Sequence, residues 1–544
     1  MPKTDISVRE LVDKVQRGEL RLPEMQRRYV WPATRVRDLL DSLYRGYPSG
    51  TILVWETDED IESRELAIKS NKSPTTSQKL LLLDGQQRIT SLSAILSGEP
   101  VQVRNRKRPI EILFNLEHPE GPPTEITEVD EEDVLEKFQE IEDEETAERD
   151  IQEEMKKRTF VVSNKALKNN PLWVSVSDIF KKTDSQILKS IGISSEDERW
   201  DKYSERLQRV RKIADYSYVM QVLDKNMSYE EVTEIFVRVN SLGIKLRSSD
   251  LALAQITSRW KGFMNEIETF AEEFGDDEDY IIETGLPVRL MIVFATKQSR
   301  FKTVGKIGKE KLEESWELAK KGLRFAVNFL RSNAKIDNLS YISSPSLLIP
   351  IAVYATNNNE KLSPEEEKKL LRWFYLAHMR GHYSMGSSES ILDLDLSTLF
   401  KTNNLEELIN QLQLHVKKFN IDTEDIMHKG IRSPFFSMMY FVLKQKGAKD
   451  WWTGLSLSDK HLGKSHSLQY HHIFPKSLLK KDFDKKEINE ISNLAFISGK
   501  TNRHITNKEP KIYFEEIIKK RGQDALISQL IPLDKDYWEI SNYK

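Results

Sequence analysis

Four consecutive leucines, Leu80 to Leu83, stop at Asp84-Gly85, and no other segment restricts the fold of this chain as strongly. A short, continuous apolar run bounded by a turn signal reads as a buried strand, and Asp-Gly supplies the tight turn that ends it. Gln86 to Leu96 reads as the helix that follows. Upstream, Ser7-x-x-Glu10 is a capping box that opens a helix over Val8 to Gln16. A second helix is expected from Thr34 to Tyr44, with Val36, Leu39, Leu40 and Leu43 on one face. The turn Gly46-Tyr47-Pro48-Ser49-Gly50 then delivers a strand over Thr51 to Trp55. Strands at Ile110 to Asn115, Thr159 to Ser163 and Tyr218 to Leu223 complete a mixed α/β domain.

From Ser228 the texture changes. Ser228-x-x-Glu231 is a second capping box, starting a helix through Val239, and helical stretches follow at about 250–274, 286–298, 308–332, 345–356, 363–380 and 405–419. Gln445 to Leu457 reads as a linker. The expected architecture is α+β and multidomain: a mixed α/β domain over 1–225 with an acidic insertion near 124–155, an all-α region over 226–445, and a C-terminal domain over 446–544. No apolar run approaches bilayer length, and Leu347 to Ala355 comes nearest. Met1 to Glu10 has no apolar signal core. The expectation is a cytoplasmic chain without a membrane partner.

The formal net charge of −4 argues against a nucleic-acid enzyme until it is divided. A dense acidic run lies between Glu125 and Glu154, and it reads either as a solvated insertion or as a DNA mimic. The last 90 residues hold 16 Lys/Arg against 12 Asp/Glu. Val103-Arg104-Asn105-Arg106-Lys107-Arg108 and the set Lys297, Arg300, Lys302, Lys306 and Lys309 are further basic clusters that can contact phosphates or simply be solvated.

Chemistry concentrates near the C-terminus. Tyr470-His471-His472-Ile473-Phe474-Pro475 is followed by Asn493, 21 positions after His472, and by Asn502, 9 positions further. Single-metal phosphodiester hydrolysis needs a neutral imidazole to take a proton from water, a cation on the phosphate, and a group that aims the imidazole. His472 is the candidate base, His471 and Asn502 the candidate metal ligands, and Asn493 the candidate positioner. Leu468 to Phe474 reads as a strand, on which adjacent side chains face opposite sides. A bulge or bend is therefore expected if both histidines share one site. The wording resembles the HNH, or ββα-metal, nucleases over about the last 95 residues. With no cysteine in the chain a four-Cys zinc knuckle is excluded, and Mg²⁺ or Mn²⁺ suits the N/O donor set.

A second candidate site is Asp84-Gly85-Gln86-Gln87-Arg88, where a helix N-terminus offers free N–H groups to an anion and Arg88 can grip a phosphate. An Asp-Gly turn capping a helix also explains Asp84 and Gly85 without any ligand. Taken together, Pro23-x-x-Gln26-Arg27-x-Tyr29-x-Trp31, Tyr47-Pro48, Asp84-Gly85-Gln86-Gln87-Arg88 and Phe236-x-Arg238-x-Asn240-Ser241-x-Gly243 resemble the ParB/sulfiredoxin-like N-terminal domain of GmrSD-type restriction endonucleases. That resemblance, with the HNH-like segment, covers nearly the whole chain. It implies a modification-dependent, phage-defence DNA endonuclease that binds or hydrolyses a nucleoside triphosphate, GTP or ATP. Asp84, Gly85, Gln86, Gln87 and Arg88, with Gln26 and Arg27 beside them, would form the nucleotide site. The implied partners are modified double-stranded DNA and the nucleotide; a homo-oligomer is compatible with the sequence.

Overall fold

The computed structural model describes residues 3–24, 31–57, 63–64, 79–103, 109–121, 155–164, 167, 170–242, 248–274, 282–336, 338–384, 387–416, 418–458 and 468–543. Gln26 and Arg27, the acidic run over 124–154, Arg104 to Arg108 and Gly243 lie outside them. The chain divides into two compact units, Met1–Asn265 and Glu266–Lys544. No helix among the described residues is long and apolar enough to cross a membrane.

The first unit is built on a mixed sheet of β1 (Lys3–Ser7), β2 (Leu20–Pro23), β3 (Ile52–Thr57), β4 (Ser63–Arg64), β5 (Lys79–Asp84) and β9 (Ser217–Leu223), in the order β1-β9-β3-β5-β2-β4. The leucine run sits at its centre: β5 pairs antiparallel with β3 and parallel with β2. Strand periodicity explains why every position of that run is apolar. Ile52, Val54 and Leu82 enter one core with α1 (Val8–Gln16), α2 (Ala33–Tyr44) and α3 (Gln86–Leu96). Leu53, Trp55, Leu81 and Leu83 enter a second core with Val232 and Phe236 of α5 (Tyr229–Leu242) and Ala254 of α6 (Ser248–Thr257).

Both capping boxes form as expected, at Ser7/Glu10 and Ser228/Glu231. Strands β6 (Ile112–Asn115), β7 (Phe160–Val162) and β8 (Trp173–Ser175) make a separate antiparallel sheet instead of extending the first. Helix α4 (Trp200–Arg211) packs into the first core through Tyr203, Leu207 and Val210. The helical stretch expected over 250–274 is broken. After α6 a new helix, Phe263–Glu272, begins where the buried Glu24 carboxylate accepts the N–H groups of Gly262 and Met264 at 3.1 and 3.0 Å.

The second unit is largely helical: α7 (Gly285–Thr296), α8 (Lys309–Ala334), α9 (Leu348–Asn357), α10 (Pro364–Met379), α11 (Ser388–Thr402), α12 (Leu405–Val416) and α13 (Pro434–Gln445). Helices α11 and α13 lie outside the helical stretches expected from the sequence. Phe436 and Tyr440 of α13 pack on Phe496, with ring centroids 5.0 and 5.1 Å apart. Phe496 belongs to the hairpin-like pair β10 (Leu468–His472) and β11 (Leu494–Ser498), which runs directly into α14 (Gly499–Ile505). Helix α15 (Pro510–Arg521) closes this part through Tyr513, Phe514 and Ile517. Residues 445–457, expected as a linker, are instead built into it, with Asp450 and Trp451 buried.

Candidate functional site

The strand–strand–helix of β10, β11 and α14 assembles the C-terminal site. Antiparallel pairing places His471 opposite Ala495 and His472 opposite Leu494, with no register shift. The bulge expected at the two histidines is therefore absent, and on a regular strand their side chains leave on opposite faces. His471 is buried and His472 half-buried. The rings remain close enough for a charge on His472 to disfavour a proton on His471.

His471 Nδ1 lies 2.9 Å from Asn502 Oδ1. Asn502 Nδ2 donates to Gln469 Oε1 at 2.8 Å, which turns the amide oxygen towards the imidazole. His471 Nε2 is buried without a hydrogen-bond partner. Burial pushes the His471 pKa down to about 4, against the opposing effect of the Asn502 contact, so the ring is neutral near neutral pH. An amide oxygen only accepts, so Nδ1 donates its N–H in this contact; Asn502 Oδ1 keeps a lone pair for a cation, and His471 Nδ1 could join it only by giving up that proton. Among the described residues no group of three or more His, Asp or Glu side chains is placed to hold a metal.

Asn493 is 2% exposed, and its amide closes the turn after β10. Its Oδ1 accepts the Phe474 N–H at 2.7 Å, and its Nδ2 donates to the carbonyls of Phe474 and Ile488 at 3.2 and 3.0 Å. The contact to the His472 imidazole, expected of Asn493, belongs to Asn489, whose Oδ1 lies 2.9 Å from Nε2. Sequence reasoning passed over Asn489, and its only signal was its place 4 residues before Asn493.

Asp450 is the other site residue that sequence reasoning missed. It accepts the Ser498 N–H and the Thr501 hydroxyl, both at 2.6 Å, and so joins the end of β11 to the start of α14. Burial opposes ionisation, but the Ser498, Thr453 and Thr501 donors together hold the carboxyl below its ordinary pKa. Beside α14, His504 stacks on Trp452 at 3.6 Å, and the Lys520 ammonium lies 3.5 Å over the same ring. Partial desolvation, then the charges of Arg521 and Lys500, lower the Lys520 pKa. Arg521 is directed to the carbonyls of Trp452 and Thr453. Lys500, Lys520 and Arg521 thus lie close enough for their charges to act on one another.

In the first unit, Gly85 caps α3 at φ 98°, a left-handed conformation that suits glycine. Arg88, expected to grip a phosphate, is directed inward. It donates to the carbonyls of Ser49 and Thr51 at 2.5 and 2.8 Å and to Asp84 Oδ2 at 3.0 Å. Gly50, at φ 94°, has no room for a Cβ because that atom would sit 2.5 Å from the guanidinium. Gln87 Oε1 accepts the Trp31 N–H at 3.1 Å. The structure thus brings Asp84, Gln87 and Arg88 to one turn, with Gln86 on the first turn of α3 beside them.

His378 is fully buried between the Ser343 N–H and the Ser437 hydroxyl. Trp373 and Phe374 are core residues. Arg300 pairs with Asp393.

Residues 8–257 match the family model described as the GmrSD restriction endonuclease N-terminal domain. Over those residues the chain is thus similar to the N-terminal domain of that family. The chain is also 23% identical, over 564 aligned positions, to an uncharacterized protein of Methanocaldococcus jannaschii, covering 95% of this chain and 87% of that protein.

Proposed function

We propose that this protein is a nucleotide-regulated, modification-dependent DNA endonuclease of anti-phage defence, hydrolysing phosphodiester bonds at an HNH site. The observation that carries the reading is the 2.9 Å approach of His471 Nδ1 to Asn502 Oδ1, with His472 next along the strand. The restriction-endonuclease match over 8–257 supports DNA as the substrate.

His472 accepts the proton of the attacking water as the new O–P bond forms and the P–O bond to the departing sugar oxygen breaks. That oxygen takes its proton from solvent. His471 and Asn502 would hold Mg²⁺ or Mn²⁺, which when bound supplies positive charge to the phosphoryl oxygens. Asn493 keeps the turn after β10 closed, and Asp450 keeps α14 on β11. The Lys500, Lys520 and Arg521 cluster offers a phosphate contact beside α14.

Asp84, Gly85, Gln86, Gln87 and Arg88, with Gln26 and Arg27, form the proposed site for GTP or ATP at the start of α3. The inward commitment of Arg88 favours one second reading. In it the first unit is a DNA-binding scaffold without nucleotide control, and the nuclease is non-specific or nicking.

The deciding experiment is cleavage of matched unmodified, glucosylated-hydroxymethylcytosine and phosphorothioate DNA with Mg²⁺, with and without each nucleoside triphosphate, using His472→Ala as the blank. Cutting of one modified DNA, changed by one nucleotide, is the expected result. Equal cutting of every DNA whatever the nucleotide would establish the second reading instead.

A further inference from the structure

We infer that the loop Met427–Arg432, just before α13, grips DNA, with Lys429 and Arg432 on backbone phosphates and Met427 and Ile431 against bases in the minor groove. Its role in cleavage rests on the nuclease reading above. The loop is fixed to the turn that stands beside His472. The Ile491 N–H donates to the Lys429 carbonyl at 2.8 Å, and the His428 N–H donates to Glu490 Oε1 at 3.0 Å. Asn489, the residue before Glu490, has its Oδ1 2.9 Å from His472 Nε2. Contact is close here, since a Cβ on Gly430 would stand 3.2 Å from the Asn489 carbonyl oxygen. DNA that reaches His472 therefore passes beside this loop.

The loop's chemistry suits a polyanion with apolar bases between its phosphates. Met427 and Ile431 are 48% and 54% exposed, and Lys429 and Arg432 are exposed with them. Neither cation has an ion pair among the described residues. The carboxylates around them are mostly engaged: Asp422 by Lys418, Asp425 by Arg380 at 2.9 Å, and Glu490 by His428 Nδ1 at 2.8 Å. Glu424 is exposed on the helical turn Thr423–Ile426. Apolar side chains that wedge between base steps, flanked by cations on phosphates, are a known way of holding a minor groove. The backbone is set in advance for that task. His428 adopts a left-handed φ of 59°, a conformation that persists in a non-glycine residue only where its surroundings fix it. The Lys429 N–H donates to the Ile426 carbonyl at 3.2 Å and the Ser433 N–H to the Gly430 carbonyl at 2.9 Å, so little ordering is left to binding. An isologous pairing of two copies through this loop would instead bring like charges together.

The test uses full-length protein without divalent metal and a 2-aminopurine-labelled duplex, prepared unmodified, with glucosylated hydroxymethylcytosine, or with phosphorothioate links. K429A and R432A are each expected to lower the slope of log affinity against log salt by about 1 on every duplex that binds. M427A/I431A is expected to keep the slope and to lose the rise in 2-aminopurine fluorescence that unstacking gives with the wild type. Melting temperatures should stay unchanged, because these side chains are exposed. A wild type without that rise, a K429A/R432A protein with the wild-type slope, or an M427A/I431A protein with the wild-type rise would overturn the inference. So would a wild-type dimer that M427A/I431A dissolves with DNA binding intact, since the loop would then join two copies. Full cleavage by His472→Ala would remove the nuclease role of His472, and the binding measurements would still decide the loop.

Discussion

His471 and Asn502, 31 residues apart in the chain, meet through Nδ1 and Oδ1 at 2.9 Å. The meeting depends on β11 passing into α14 without a loop. Ser498 caps α14 by accepting the Thr501 N–H, and Asp450 grips both residues from outside. The position of Asn502 against His471 is therefore set by a helix start, which is among the better-defined positions of a backbone.

Replacing either partner should weaken the response to divalent ion before it affects the fold. For Asn502→Ala the expected result is a rise of about 10- to 100-fold in the Mn²⁺ or Mg²⁺ concentration needed for half-maximal cleavage. A metal titration with DNA held at saturation measures this. An unchanged requirement would remove Asn502 from the ligand set.

His472→Ala should lower cleavage by about 10² to 10⁴, the range for loss of a general base. Nucleotide turnover and DNA binding should persist, because the ring lies in a different unit from the Asp84–Arg88 turn. Single-turnover cleavage and filter binding on the same preparation separate the two effects.

Asp450→Ala should be strongly destabilising, by about 3 kcal/mol, since it strands a buried N–H and two hydroxyls. The depressed pKa of Asp450 gives its contribution a pH sign. The stability it supplies is complete above the carboxyl's unfolded value and is lost as pH falls through the lower folded one. Denaturant unfolding of wild type and Asp450→Ala across the acid range should show the two curves converging at low pH.

Arg88→Ala should lower the melting temperature of the first unit, because three bonds to Ser49, Thr51 and Asp84 go with it. Arg88→Lys should not restore it, as an ammonium cannot reproduce the planar fork. Gln86→Ala should reduce nucleotide affinity with little change in melting temperature. Calorimetric unfolding alongside nucleotide titration distinguishes these, and normal affinity in both Gln86→Ala and Arg88→Ala would remove the nucleotide assignment.

Two buried histidines predict acid sensitivity in each unit. Burial pushes His118 in the first unit and His378 in the second down to about 4 from 6.5. Both rings are held neutral, since His378 Nδ1 accepts the Ser343 N–H and His118 Nε2 faces the Tyr44 hydroxyl. Their contribution is complete above pH 6.5 and declines as pH falls from there towards 4, by on the order of 3 kcal/mol each. Unfolding midpoints measured at half-unit steps should fall across that window.

Local order was legible in the residues. The leucine run, its Asp-Gly stop and the helix Gln86–Leu96 follow from apolar continuity and turn chemistry, and both capping boxes follow from a spacing of three. Short strands such as Lys3–Ser7 and Leu20–Pro23 carry too little periodicity to announce themselves, and they exist because a neighbouring strand pairs with them. The break before Phe263 required a carboxylate from Glu24, more than two hundred residues away.

At the candidate site the same division holds. Sequence alone determined which residue types were present: two adjacent histidines on a strand and asparagines at a working spacing. It could not say which asparagine meets which ring. Tertiary structure decided that Asn502 faces His471, that Asn489 and not Asn493 faces His472, and that Arg88 turns inward to the Ser49–Thr51 turn. The reason is physical. Helices and strands arise from interactions within a few residues, whereas a buried polar side chain takes whichever partner packing brings within hydrogen-bond reach.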